Sequence, residues 1–112
     1  MNAITTDTPT VLYTIKGTAM NKARARVWIE RDLTELAGLG FTADMRCDLT
    51  YLDNGLLITF NPDGKKKPTV RKGARTKVIF DCCMTVEQRD AMFGGAARLT
   101  VWASNNQLMV TI

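Results

Sequence analysis

Arg24 and Arg26 stand two residues apart, as do Arg75 and Lys77, and residues at that spacing on a β-strand project from one face. Such a face meets phosphate oxygens, and arginine also reaches guanine O6 and N7 through two parallel hydrogen bonds in a major groove. The surrounding charge is bunched. Of 15 basic residues, Lys16, Lys22, Arg24 and Arg26 fall in one window, and Lys65, Lys66, Lys67, Arg71, Lys72, Arg75 and Lys77 in another. Neither window holds an acid; all 11 carboxylates lie elsewhere, and the net charge is +4. The expectation is a strongly positive face and a neutral or acidic remainder, which fits a polyanionic partner. A solvated face with ion-pair partners is the plainer alternative, and the doubled clustering weighs against it. The run Lys65–Lys67 suits sequence-independent phosphate contact, although linker solubility explains it nearly as well.

Other chemistry is thin. The chain has no histidine, so the commonest general base and the commonest zinc ligand are missing. Three cysteines, Cys47, Cys82 and Cys83, match neither a disulfide framework nor a C-x-x-C knuckle. They read as core or half-buried, reduced residues of a reducing compartment, and no metal or cofactor is expected. Asp32, Glu35, Glu87 and Asp90 fall on short helices, where capping and solvation account for them. No catalytic residue is assigned, and an enzyme is not the reading. Trp28, Trp102, Tyr51 and Phe80 could stack on single-stranded bases. They sit in apolar-alternating strands, so core packing is expected, with Trp102 the readiest exception.

The elements that position these residues occur twice. Arg46–Phe60 aligns without gaps on Arg98–Ile112, 52 positions later, with identities at Arg46/Arg98, Asn54/Asn106, Leu56/Leu108 and Thr59/Thr111. Each stretch reads strand, turn, strand, with Asp53-Asn54-Gly55 and Asn105-Asn106 tolerating positive φ. Upstream, Arg24–Glu30 corresponds to Arg75–Asp81 at an offset of 51, both alternating basic and apolar. A short helix follows in each half, opening at Asp32-Leu-Thr-Glu35 and at Thr85-Val-Glu-Gln88, both capping-box patterns. Leu33, Leu36, Phe41, Leu49, Ile58, Phe80, Leu99, Val101 and Val110 are the expected core. The expected organisation is one domain over 1–112, with repeats at 12–60 and 69–112 and an exposed, flexible linker at 61–68. Each repeat is too small to bury its own sheet face, so two copies about a pseudo-two-fold axis would close one core.

Length and composition agree with this. The chain has 112 residues, 46% of them apolar and 23% charged, in line with one small globular domain. No apolar run approaches the roughly 20 residues of a membrane span, and the N-terminal stretch lacks the pattern of a secretory signal. A cytoplasmic protein is expected, with no membrane partner.

Leu36-Ala-Gly-Leu-Gly-Phe41, Arg46-Cys-Asp-Leu-Thr-Tyr51 and Gly55-Leu-Leu-Ile58 resemble the helix, "aGF" turn and hairpin of the SpoVT/AbrB-like swapped-hairpin domains, including the SymE-like branch. Asn21–Ile29 resembles that family's basic strand. The resemblance covers about residues 12 to 60; the second half follows by analogy. It implies a mainly β (α+β) swapped-hairpin barrel of two tandem ββαββ-type repeats, and a nucleoid-associated transcriptional regulator, a repressor, on double-stranded DNA. The implied contacts are Lys16, Asn21, Lys22, Arg24 and Arg26 from the first unit and Arg71, Lys72, Arg75 and Lys77 from the second; Lys65, Lys66 and Lys67 join them on charge alone. Two features depart from the family pattern. Glu30 and Asp81 stand where a proline commonly follows the basic strand, and Ala43-Asp44 replaces the usual Pro-Gly. An RNA-binding or RNA-cleaving toxin of the SymE-like branch is the first alternative, and an antitoxin or other interaction module the second. A homodimer on top of the intrachain pseudo-dimer stays open.

Overall fold

A computed structural model describes residues 9–21 and 24–112, with the side chains of 19–21 outside the described set. The strands are β1 (Thr10–Lys16), β2 (Ala19–Asn21), β3 (Arg24–Asp32), β4 (Cys47–Leu52), β5 (Gly55–Phe60), β6 (Thr69–Arg71), β7 (Lys77–Thr85), β8 (Arg98–Ser104) and β9 (Gln107–Thr111). Helix α1 (Leu33–Ala37) follows β3, and α2 (Val86–Met92) follows β7. Period-two patterning explains why these segments extend. In β3, Ala25, Val27 and Ile29 are buried while Arg24, Arg26 and Trp28 are exposed. In β5, Leu56, Ile58 and Phe60 point inward in the same way.

The nine strands of the described residues lie in two antiparallel sheets, which we call A and B. Sheet A has the order β1-β8-β9-β5-β4 and sheet B the order β2-β3-β7-β6, and neither closes on itself. Sheet B reads the same from either edge when β2-β3 is exchanged for β6-β7, and so does sheet A once β1 is set aside. The element bounds place that symmetry. β3 and β7 begin and end 53 positions apart, α1 and α2 also begin 53 apart, and β5 and β9 begin 52 apart. By these bounds the two basic strands correspond at an offset of 53 rather than 51, with Trp28 opposite Asp81 at the centre of the β3–β7 ladder. Arg24 matches Lys77 and Asp32 matches Thr85, while Arg75 precedes β7 in a bend. The two-residue slip preserves strand-face parity, which is why the shorter offset also fits the pattern.

One core lies between the sheets and draws on both halves. Phe41 meets Phe60 and Phe80 edge-on at centroid distances of 5.1 and 5.6 Å, and Phe60 stacks on Phe80 at 6.1 Å. Leu36, Phe41, Ile58, Phe80, Leu99, Val101 and Val110 are buried, and Leu33 and Leu49 pack against them part-exposed. Trp28 and Tyr51 depart from the expected core: they are 45% and 38% exposed. Trp28 shares the parity of Arg24 and Arg26, so pleating turns it outward. The Tyr51 hydroxyl donates to the Cys83 carbonyl at 2.9 Å, tying the edge of sheet A to sheet B.

Both helices are short, and they are capped differently. Thr85 completes a reciprocal box: its hydroxyl accepts from the Gln88 N–H at 3.1 Å, and its own N–H donates to Gln88 Oε1 at 2.9 Å. Asp32 stands at the N-cap of α1 without a side-chain cap bond, because its carboxylate is held by cations across the sheet. Only Asn106 among the described non-glycine residues uses a positive φ, at 65°. Its N–H donates to the Leu39 carbonyl at 2.7 Å and its carbonyl accepts from the Phe60 N–H at 2.8 Å, so the second hairpin's tip is docked on the first half.

The connection 61–68 is not a free linker. Cys47 and Lys66 exchange both backbone hydrogen bonds, at 2.8 and 2.9 Å. Arg46 Nε donates to the Gly64 carbonyl at 2.6 Å, and Asp48 accepts from the Lys65 N–H at 3.0 Å. Together these contacts pin the segment along the open edge of β4.

Candidate nucleic-acid interface

The outer face of sheet B is built by β3 and β7, whose directly opposed residues share a side. Arg24, Arg26, Trp28, Glu30 and Asp32 face Thr85, Cys83, Asp81, Ile79 and Lys77 in that order. Arg71 lies beside Lys77 through the β6–β7 register. Arg24, Arg26, Arg71 and Lys77 are thus brought to one face, and Arg75 reaches it from the preceding bend. Lys22 lies outside the described residues. Asn21 is placed by its backbone alone, at the end of β2 opposite Arg24.

Carboxylates stand among these cations, contrary to the purely positive face expected. Arg26 Nε meets Asp81 Oδ1 at 2.9 Å, and Arg71 Nη2 meets Glu30 Oε2 at 2.5 Å. Lys77 Nζ meets Asp32 Oδ1 at 2.6 Å, and Arg75 Nη1 meets Asp32 Oδ2 at 3.3 Å. The basic windows hold no acids along the chain; strand pairing brings the acids across. The hydrogen bond from Lys77 holds the Asp32 carboxyl below the usual carboxylate range, with Arg75 adding to it and partial desolvation opposing both. Arg26, Arg71, Arg75 and Lys77 therefore each hold an acid of the chain.

A second group of cations holds none. Among the described residues, Lys16, Arg24, Arg46, Lys65, Lys66, Lys67, Lys72 and Arg98 have no carboxylate at salt-bridging distance. Arg46 is held by the Gly64 and Lys65 carbonyls and Arg98 by the Thr14 hydroxyl. Arg24 marks one end of the sheet B face. Lys72 follows β6 at the other end, and Lys65–Lys67 occupy the segment leading into β6. Lys67 and Lys72 line one shallow cleft with Pro68, Thr69 and Asp44. Lys65, Lys66 and Lys67 line the next with Asp48 and Leu49. Arg24 lies eight residues along β3 from the end that faces Lys77, a span of about 26 Å at strand rise. Between these ends sits Trp28, with the Arg26 guanidinium 5.5 Å from its ring centroid.

The cysteines offer no reactive pair to this face. Burial pushes the Cys47 thiol up to about 11 and the Cys82 thiol up to about 12, so both stay protonated at neutral pH. Cys83, expected in the core or half-buried, is instead exposed opposite Arg26, because strand parity turns it to the outer face. Among the described residues no group of three or more Cys, Asp or Glu side chains could hold a metal ion, and no helix is long and apolar enough to cross a membrane.

Sequence reasoning missed two parts of this surface. Trp28 carried a usable signal, since its parity is that of Arg24 and Arg26. The Asp32 and Asp81 pairings carried none, because they depend on the register between strands some fifty residues apart. The chain matches no family model, no curated protein and no solved structure at a significant level.

Proposed function

We propose that the protein is a DNA-binding transcriptional regulator of the swapped-hairpin kind, gripping the duplex through its uncompensated cations. The observation that carries this reading is the set Lys16, Arg24, Lys65, Lys66, Lys67 and Lys72, none paired with an acid among the described residues. An uncompensated cation gains most from a phosphate, because it releases condensed counterions without first breaking an internal ion pair. Strand exchange between the halves in both sheets supports the swapped-hairpin assignment. The ion-paired cations orient the face, and Arg24, on that face and without an acid partner among the described residues, is placed to reach a base edge.

Fluorescence anisotropy of a labelled duplex, taken from the upstream region of the protein's own gene and titrated across salt, tests this. Roughly six phosphate contacts give a slope of log affinity against log salt near −5, at about −0.9 per contact. Replacing Lys65, Lys67 and Lys72 together by alanine should flatten that slope by about 3. Replacing the paired Arg71 and Arg75 should change it far less. A slope near zero in the wild type, or equal losses from both variants, would overturn the assignment.

A further inference from the structure

Trp28 occupies the middle of the outer face of sheet B, paired with Asp81 at the point where the two halves of the sheet meet. It is 45% exposed, a costly position for the largest apolar side chain. Its ring is held from two sides. Nε1 donates to Glu30 Oε1 at 3.4 Å, and the Arg26 guanidinium stands over the ring while its Nε is fastened to Asp81. Arg24 lies four residues along the same strand on the same face, about 13 Å away. An oriented, exposed indole between cationic ends suits a strand that turns its phosphates to the cations and lays a base on the ring.

We infer that Trp28 is a stacking platform for an unpaired base, so that this face holds single-stranded DNA more tightly than the same sequence as a duplex. The inference rests on the DNA-binding reading and adds to it a contact that a duplex cannot use. Bases within a duplex stack on each other and keep their faces from an outside ring, whereas every base of a single strand offers one. Phosphate contact alone would hold both forms. The indole separates them.

The test uses Trp102→Phe protein, whose sole remaining indole is Trp28. Its fluorescence is titrated with oligo-dT, with the same strand annealed to oligo-dA, and with oligo-U of equal length. Oligo-dT should quench the indole and bind about tenfold or more tighter than the duplex. Adding Trp28→Ala should cost about 5- to 150-fold in oligo-dT affinity by anisotropy, while Trp28→Phe, which keeps a ring, should recover most of it. Because Trp28 is exposed, both variants should keep the wild-type circular dichroism spectrum. Duplex binding equal to or tighter than oligo-dT binding, without quenching, overturns this inference and leaves the DNA-binding reading intact. Binding of no nucleic acid overturns both. Quenching by oligo-U alone overturns the assignment to DNA. A Trp28→Ala protein with unchanged oligo-dT affinity and an altered sedimentation coefficient makes Trp28 a protein contact, which also overturns it.

Discussion

Asp32 is claimed by two partners that need its carboxylate in different places. Its position at the start of α1 offers it as a cap, yet the side chain turns to Lys77 and Arg75. It thereby joins the end of β3 to the end of β7 and to the bend before it. Those contacts hold its carboxyl below the usual range. A depressed folded-state value stabilises the fold fully above the unfolded carboxylate value of about 3.9, and that contribution is lost as pH falls through the folded value. Asp48 follows the same sign, held down first by the Asn61 side-chain amide and then by the Lys65 N–H. Asp32→Asn and Asp48→Asn should therefore have lower urea midpoints than the wild type at pH 7. The difference should shrink as pH falls below about 4 and be lost as pH drops through the lowered folded-state values. A difference that stayed constant from pH 7 to pH 2 would mean that charge is not what these carboxylates contribute.

At the scale of elements, the segment 61–68 matters most, because it carries three of the uncompensated lysines while fastened to β4. Gly64 makes that attachment possible. A Cβ at this position would lie 2.5 Å from the Cys47 carbonyl oxygen and 2.8 Å from its nitrogen, so the two backbones meet only where no side chain intervenes. Gly64→Ala should push the segment off the edge strand and cost about 1–3 kcal/mol, the range for overpacking. It should also speed amide exchange at Lys66 and Cys47, whose mutual hydrogen bonds it breaks. Wild-type exchange at both amides would sink this account. Much of the element plan was readable from the chain. The alternation of β3, the two hairpins and the Thr85–Gln88 box all rest on residues close in sequence. The attachment of 61–68 was not readable, because Pro62 and Gly64 signal a turn and carry no information about the pairing of Lys66 with Cys47, 19 residues before it. Trp28 was readable but outweighed: its apolar character argued for the core, while its parity with Arg24 and Arg26 set it on the face.

At the scale of the molecule, the halves cannot be parted without unmaking both sheets. β3 pairs with β7 over nine residue pairs, β5 pairs with β9, and β1 of the first half lies against β8 of the second. Each of these pairings joins residues roughly fifty to ninety positions apart, so loop closure must be met before any of them returns stability. Neither half then has a core to form by itself, since Phe41 and Phe60 come from one and Phe80 from the other. Unfolding should be a single cooperative transition, and the thiols report on it directly. Cys83 is exposed, while Cys47 lies beneath the 61–68 segment and Cys82 on the inner face of β7, both buried. A thiol-specific chromogenic reagent at neutral pH should label Cys83 at once. Cys47 and Cys82 should follow together, with the rate of global unfolding and the same urea dependence as the circular dichroism signal. Fragments cut between residues 62 and 63 should each be unstructured alone and regain the β signal and the protection of Cys82 when mixed. If Cys47 labelled well ahead of Cys82, or if either fragment folded unaided, the halves would be separate cooperative units and the shared strands only a docking of two finished structures.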